Sequence, residues 1–113
     1  MSRHIKVSPS LLAADFAHLA DSITIAEESG ADELHFDVMD GSFVPNITIG
    51  LPVLEAIRPL TKLPIDVHMM VVEPARYARE FASAGGDIFT IHLEACDNLE
   101  ASLNTVENTT AVS

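Results

Sequence analysis

Hydrophobic and polar residues alternate strictly along two stretches of the chain. Residues 34–39 place leucine, phenylalanine and valine on one face and histidine, aspartate and methionine on the other. Residues 65–70 repeat the arrangement, with isoleucine, valine and methionine opposite aspartate, histidine and methionine. A period of two residues is typical of a β-strand. Shorter apolar runs predict two further strands, at residues 5–8 and 88–93.

Helix signals lie between the predicted strands. Asp15 is a suitable N-cap residue, and Pro52 and Pro74 stand where proline favours the first turn of a helix. Gly85 follows the third apolar stripe and can terminate that helix. The predicted helices cover residues 15–30, 52–59, 74–84 and 98–106.

The order of elements indicates the fold class. Four consecutive strand–helix units favour parallel strands joined by helical crossovers, which defines an α/β protein. A doubly wound sheet buries both strand faces under helices, whereas the strand at residues 34–39 has one polar face. Polar groups facing a barrel interior explain that pattern better. We therefore expect residues 1–113 to form one domain of barrel type.

Composition excludes several classes of partner. Six Lys and Arg residues against seventeen Asp and Glu residues give a net charge of −11, which opposes nucleic-acid binding. No stretch approaches the roughly 20 apolar residues that a membrane-spanning helix needs. Cys96 is the only cysteine, so an intrachain disulfide is impossible, and the first residues do not resemble a signal peptide. We expect a cytoplasmic protein without a nucleic-acid or membrane partner.

Three polar residues on the two alternating strands could bind a metal. His35, Asp37 and His68 offer two imidazoles and a carboxylate, a donor set suited to a divalent transition metal. Taken singly, each is more often a hydrogen-bonded core residue, a cap or an ion-pair partner. Their shared face on neighbouring strands favours the metal site. Asp37 could also act as a general base, a role that the residues alone do not separate from ligation.

Other polar-face residues have two interpretations each. Met39 and Met70 either pack in the core or line a substrate pocket. Ser10 follows Pro9 after the first predicted strand, where it is either a turn residue or a substrate contact. On the fourth predicted strand, the histidine at 92 and the glutamate at 94 either form a simple hydrogen bond with each other inside a barrel or support the residues that bind the metal.

Three segments closely resemble signature sequences of the ribulose-phosphate 3-epimerase family. They are residues 7–16 (VSPSLLAADF), 35–46 (HFDVMDGSFVPN) and 66–70 (DVHMM). The resemblance extends over about residues 5–100. It implies a (β/α)₈ TIM barrel, of which this chain would form about the first four βα units. It also implies interconversion of D-ribulose 5-phosphate and D-xylulose 5-phosphate by proton transfer at C3 through an enediolate.

The same resemblance implies roles for individual residues. His35, Asp37 and His68 would bind one divalent metal, namely zinc, iron, manganese or cobalt, and Asp37 would also be an acid/base catalyst. The implied contacts to the phosphorylated ketopentose substrate are Ser10, His35, His68, Met39 and Met70.

The chain departs from the family pattern in its later part. The family's second acid/base aspartate, also its fourth metal ligand, and its Gly-rich phosphate-binding loops belong to later strands. Residues 107–113 also differ from the family. We therefore expect this chain to be incomplete and inactive alone, since epimerisation needs proton transfer on both faces of the substrate.

Two alternatives to that function stay open. Half of a barrel exposes two strand edges, so the chain could be an interaction module that pairs with a second half-barrel or a full-length subunit. Pairing of this kind, or assembly as a homo-oligomer, is the expected protein partnership. The second alternative is a 3-epimerase that acts on a related ketose phosphate.

Overall fold

Three parallel strands form the centre of the molecule. The computed structural model describes residues 5–11, 15–96, 100, 101 and 104. The strands are β1 (Leu34–Met39), β2 (Ile65–Met70) and β3 (Ile88–Ile91), in that spatial order. The helices are α1 (Leu19–Glu28), α2 (Leu51–Ile57) and α3 (Ala78–Ala84). This alternation of parallel strands and helices confirms the predicted α/β class.

The apolar face of the sheet packs against the helices. Phe36 of β1 is paired with Val67 of β2, and both side chains are fully buried. Helical residues such as Ile23, Leu54 and Phe81 belong to the same hydrophobic core. The opposite face of the sheet carries the polar residues of the alternating pattern. The predicted bounds of β1 and β2 are confirmed.

The segment before α1 forms one bridge instead of a regular strand. Ser10 makes an isolated parallel bridge with His35, and residues 5–8 are not assigned to a strand. The carbonyl of Val7 accepts a hydrogen bond from the N–H of Asp32 at 2.9 Å, and that of Pro9 accepts one from His35 at 2.9 Å. The segment therefore follows the edge of β1. Proline has no N–H to donate, which interrupts a regular ladder at this point.

Helix starts follow the predicted signals with short 3₁₀ turns added. Asp15 caps a 3₁₀ turn at Phe16–His18, its Oδ1 accepting from the N–H of Ala17 at 3.0 Å, and α1 begins after that turn. Pro74 likewise opens the 3₁₀ turn Pro74–Arg76 before α3. Turns of this type are common at helix ends. The start of α2 beside a proline and its end just before the 3₁₀ turn Arg58–Leu60 agree with the prediction.

β3 corresponds to the fourth predicted strand, at residues 88–93, and ends earlier than predicted. β3 ends at Ile91 and is followed by the 3₁₀ turn Leu93–Ala95, in which Leu93 is 60% exposed. The N–H of Ala95 donates to the carbonyl of His92 at 3.1 Å, so local turn bonds replace the ladder. Glu94 is exposed and lies in this turn, so it is not part of the strand on which it was predicted.

Part of the predicted fourth helix can be located. Residues 100, 101 and 104 are helical, while its other residues, the tail at 107–113 and residues 12–14 lie outside the described part of the chain. Within the residues that are described, no helix has the length and apolar character needed to cross a bilayer.

Arg58 joins three segments at the amino-terminal end of the sheet. Its Nη1 donates to the carbonyl of Gly85 at 3.0 Å and to Asp87 Oδ2 at 2.7 Å. Its Nη2 donates to the carbonyls of Thr61 at 2.9 Å and Leu63 at 2.7 Å. One guanidinium group therefore fixes the entry to β2 relative to the end of α3. The planar fork of arginine suits this set of acceptors better than a lysine ammonium group.

We expect Arg58→Ala to lower the free energy of unfolding by about 2 kcal/mol, because several hydrogen bonds from a charged group are lost together. Arg58→Lys should recover only part of this, since it keeps the charge without the fork. Urea unfolding followed by circular dichroism measures both. The exposed Arg79→Ala is the control and should stay within about 0.5 kcal/mol of the wild type. Equal stability of Arg58→Lys and the wild type would contradict this role for the fork.

Candidate functional site

The candidate site lies on the polar face of the sheet. Because β1 and β2 are parallel, the register places Asp37 directly opposite His68 and His35 opposite Asp66. All four side chains therefore point to the same side of the sheet. Asp37 is buried, with 6% of its surface exposed, and the two histidines are half-buried.

Three ligand atoms from these residues form a nearly equilateral triangle. His35 Nε2 lies 3.1 Å from Asp37 Oδ1, and His68 Nδ1 lies 3.1 Å from the same oxygen. The third edge, between His35 Nε2 and His68 Nδ1, is also 3.1 Å. The structure thus brings together the three residues that the sequence singled out as metal ligands.

The size of this triangle fits a single transition-metal ion. With metal–ligand distances of about 2.0–2.2 Å, neighbouring ligands are roughly 3.3–3.6 Å apart in a tetrahedral site and roughly 2.8–3.1 Å apart at right angles. The observed edges of 3.1 Å agree with this range. Two imidazole nitrogens and one carboxylate oxygen also match the donor preferences of zinc, iron, manganese and cobalt. His35, Asp37 and His68 could therefore hold such an ion.

Each imidazole has a polar partner behind it. His35 Nδ1 lies 3.4 Å from Asp66 Oδ2, and Asp66 Oδ1 accepts a hydrogen bond from Thr90 Oγ1 at 3.1 Å. His68 Nε2 lies 2.7 Å from Nε2 of His92. The predicted hydrogen bond between His92 and the glutamate at 94 is replaced by this contact. Groups in these positions commonly orient metal-binding histidines.

Ser10 engages the second oxygen of the central carboxylate. Its Oγ donates to Asp37 Oδ2 at 2.5 Å, while Asp37 Oδ1 belongs to the triangle of ligand atoms. Both carboxylate oxygens are therefore held by neighbouring groups. A direct substrate contact by Ser10 stays a prediction.

The two methionines are neighbours on the same face. Met39 and Met70 are paired in the parallel register, two positions beyond Asp37 and His68, and both are half-buried. Two residues of a strand span roughly 6.6 Å, so the thioethers lie beyond the triangle toward the carboxyl ends of the strands. Their role as a pocket lining stays a prediction.

Thr48 is a site residue that sequence reasoning missed. Its Oγ1 donates to the carbonyl of Asp37 at 2.9 Å and accepts from the N–H of Met39 at 3.0 Å. The Thr48 hydroxyl thus provides hydrogen-bond partners for one carbonyl and one N–H of β1, at positions after the bridge between Ser10 and His35. Only the path of the loop after β1 brings Thr48 there, so no local pattern in the sequence could have revealed it. Asp66, by contrast, could have been inferred from its place on the same strand face as His68.

Asp40 fixes the loop that follows β1. Its Oδ2 accepts a hydrogen bond from the N–H of Val72 at 2.9 Å, and its Oδ1 accepts from Ser42 at 2.8 Å and Phe43 at 2.9 Å. The bond from Val72, followed by those within the loop, lowers the pKa of Asp40 below its ordinary value of 3.8. The carboxylate thereby connects the loop after β1 to the end of β2.

Parallel strands that alternate with helices, and a sheet with polar residues on one face, are the arrangement of a segment of a (β/α)₈ TIM barrel. A family model described as "Ribulose-phosphate 3 epimerase family" matches residues 6–112. The chain belongs to the ribulose-phosphate 3-epimerase family, as its signature segments predicted.

Curated relatives support the same assignment. The chain is 54% identical over 103 residues to ribulose-phosphate 3-epimerase of Bacillus subtilis, covering 91% of this chain and 48% of that protein. It is 56% identical over 94 residues to the enzyme of the same name from Synechocystis, covering 83% of this chain and 41% of that protein. A chloroplastic ribulose-5-phosphate-3-epimerase of Arabidopsis thaliana is 53% identical over 90 residues, which is 80% of this chain and 32% of that protein. The chain thus spans at most about half the length of these relatives.

One solved structure shows the fold without close sequence similarity. Yersinia pestis DHPS, determined with a pterine-sulfa conjugate, superposes with a TM-score of 0.63 at 14% identity. The match covers 92% of this chain and 40% of that one. At this identity the likeness concerns the fold alone.

The lowered pKa of Asp40 predicts a pH-dependent contribution to stability. Because the folded-state pKa lies below the ordinary value of 3.8, the stabilisation is complete above that value and is lost as pH falls through the folded-state pKa. Asp40→Asn should therefore be less stable than the wild type near neutral pH, with the difference disappearing in acid. Urea unfolding at a series of pH values measures it. The exposed Glu55→Gln on α2 is the control, and an Asp40→Asn difference that grows as pH falls would contradict the prediction.

Proposed function

We propose that the protein is a ribulose-phosphate 3-epimerase and that this chain contributes one half of its site. The reaction would interconvert D-ribulose 5-phosphate and D-xylulose 5-phosphate by proton transfer at C3 through an enediolate. Family membership over residues 6–112 supports the reaction class. The observation that carries the proposal is the triangle of ligand atoms, in which the buried carboxylate of Asp37 stands 3.1 Å from a nitrogen of each histidine.

Asp37 is the proposed acid/base group. It is buried on the polar face of the sheet, and Ser10 holds its Oδ2 through a hydrogen bond of 2.5 Å. This bond fixes the orientation of the carboxylate, so that it can take a proton from C3 on one face of the substrate and return it. A divalent cation held by His35, Asp37 and His68 would supply positive charge to stabilise the negative charge that develops on the substrate oxygens.

Met39 and Met70 are proposed to form the apolar wall next to the reacting carbon. Thioethers have no proton to exchange with a carbanion-like centre, and their flexible side chains exclude water from it. Both are half-buried in the same face as Asp37. Ser10, His35 and His68 complete the proposed set of substrate contacts.

One carboxylate serves one face of the substrate. Inversion at C3 requires a second acid/base group on the opposite face and a site for the phosphate. In the proposal, both come from the remainder of the barrel, consistent with a chain that matches 48% of the Bacillus subtilis protein. The chain alone is then expected to be inactive. The same proposal includes three further points. The metal is zinc, iron, manganese or cobalt, the substrate is a ketopentose phosphate, and the protein is cytoplasmic.

A second candidate function is suggested by the edge segment before α1. Ile5 is 81% exposed and Val7 is 56% exposed, although both are large apolar side chains. Exposed apolar residues beside a strand edge favour pairing with another polypeptide. The chain could therefore act as a half-barrel that associates with a second half or a full-length subunit.

Substitution of the proposed acid/base tests the enzymatic function. In the longest natural polypeptide that carries this sequence, Asp37→Asn should lower kcat for ribulose 5-phosphate epimerisation by about 10²–10⁴-fold, the usual contribution of general acid–base catalysis. A coupled assay of xylulose 5-phosphate measures turnover, and incorporation of solvent deuterium at C3 measures proton transfer directly. Asp21→Asn, an exposed residue of α1, is the matched control and should leave both unchanged.

Two outcomes would count against the proposal. Wild-type rates of deuterium incorporation by Asp37→Asn would exclude Asp37 as the acid/base group. A wild-type protein that turns over a hexulose phosphate and not ribulose 5-phosphate would assign it to a related 3-epimerase activity.

A further inference from the structure

The contact between His68 and His92 is the shortest polar contact made by either imidazole of the candidate metal centre. Their Nε2 atoms are 2.7 Å apart, and their rings lie with centroids 4.9 Å apart and planes inclined by 26°. His92 stands directly after β3, in extended conformation with φ −104° and ψ 134°. At 2.7 Å one of the two nitrogens must donate a proton and the other must accept it.

The geometry of the triangle decides which nitrogen donates when a cation is bound. His68 Nδ1 is the atom that lies 3.1 Å from Asp37 Oδ1, so this nitrogen must present a lone pair to the ion. A neutral imidazole then carries its proton on Nε2. That proton points at His92 Nε2, which must accept it.

We propose that His92 is a positioning residue that selects the metal-binding tautomer of His68. By accepting the Nε2 proton, it leaves the Nδ1 lone pair directed at the ion and restrains the ring. This inference rests on the proposed metal centre. It concerns a residue that does not itself reach the triangle of ligand atoms.

The surroundings of His92 support this role. The ring of Phe43 also contacts His92, with centroids 5.3 Å apart and planes inclined by 40°. The N–H of Phe43 is bound to Asp40 Oδ1 at 2.9 Å, so the loop that carries the phenyl ring is itself fixed. His92 is therefore in contact with both Phe43 and His68. The corresponding contact behind His35, to Asp66, is longer at 3.4 Å.

Two substitutions separate the proton acceptor from the aromatic ring. His92→Phe keeps a ring of similar size in contact with both neighbours and removes the acceptor. His92→Gln removes the ring and places an amide oxygen, an acceptor, near the position of Nε2. Co²⁺ affinity of the full chain, measured by visible absorption, and circular dichroism as a check of folding are compared with the wild type.

The inference predicts opposite behaviour of the two variants. His92→Phe should bind Co²⁺ about 10–100-fold more weakly, the usual cost of removing a group that orients a ligand histidine. His92→Gln should retain most of the affinity. The reverse order, or equal losses in both variants, would show that packing or ring shape matters and would overturn the inference. If the wild type binds no Co²⁺, the proposed metal centre and this inference both fail.

A spectroscopic measurement tests the tautomer without mutation. In the Zn²⁺-loaded wild-type chain, long-range ¹⁵N–¹H NMR should show the His68 proton on Nε2, exchanging slowly with water because His92 accepts it. In His92→Phe that proton should exchange faster. A His68 proton found on Nδ1 in the Zn²⁺-loaded wild type overturns the inference, even if the Phe variant does not fold.

Discussion

The register between β1 and β2 is the constraint on which the site depends. Phe36 and Val67 pair on the buried face, and this places Asp37 opposite His68 on the other face. A slip of one residue would reverse the faces of one strand and move a histidine into the hydrophobic core. Burial of the apolar residues therefore fixes the polar ones. The energy that folds the sheet also assembles the triangle of ligand atoms.

Interactions at the two ends of the sheet hold this arrangement in place. Arg58 connects the entry of β2 to the end of α3, far from the polar groups of the site. At the other end, Asp40 joins the loop after β1 to the N–H of Val72 and positions Phe43 against His92. Asp40 therefore acts on His68 indirectly: it holds the loop of Phe43, Phe43 contacts His92, and His92 contacts His68. At this end of the fold, the contacts that hold the loop after β1 also hold residues next to the candidate metal site.

The parts of the fold that could be predicted from the sequence are those with a strict local pattern. β1 and β2 were predicted with the right bounds because alternation over six residues on each strand leaves one buried face. The first strand was predicted wrongly because an apolar run carries no information about ladder hydrogen bonds, which Pro9 interrupts. The predicted end of β3 was wrong because Leu93 is apolar yet lies in a turn, where bonds between near neighbours replace pairing.

The same distinction applies to the site. His35, Asp37 and His68 could be chosen because alternation assigns each to a face and the strands are adjacent. Thr48, and the partner that His92 contacts, could not be predicted, since a loop path and a ring orientation decide them. The match to the epimerase family includes these residues, but it does not say which side chains contact each other.

The location of a bound metal tests the central claim most directly. Anomalous diffraction from crystals of the chain grown with Co²⁺ or Zn²⁺ should give one peak about 2.0–2.2 Å from each of the three ligand atoms, His35 Nε2, Asp37 Oδ1 and His68 Nδ1. A peak at exposed groups such as Asp15 and His18, with none at the triangle, would contradict the account.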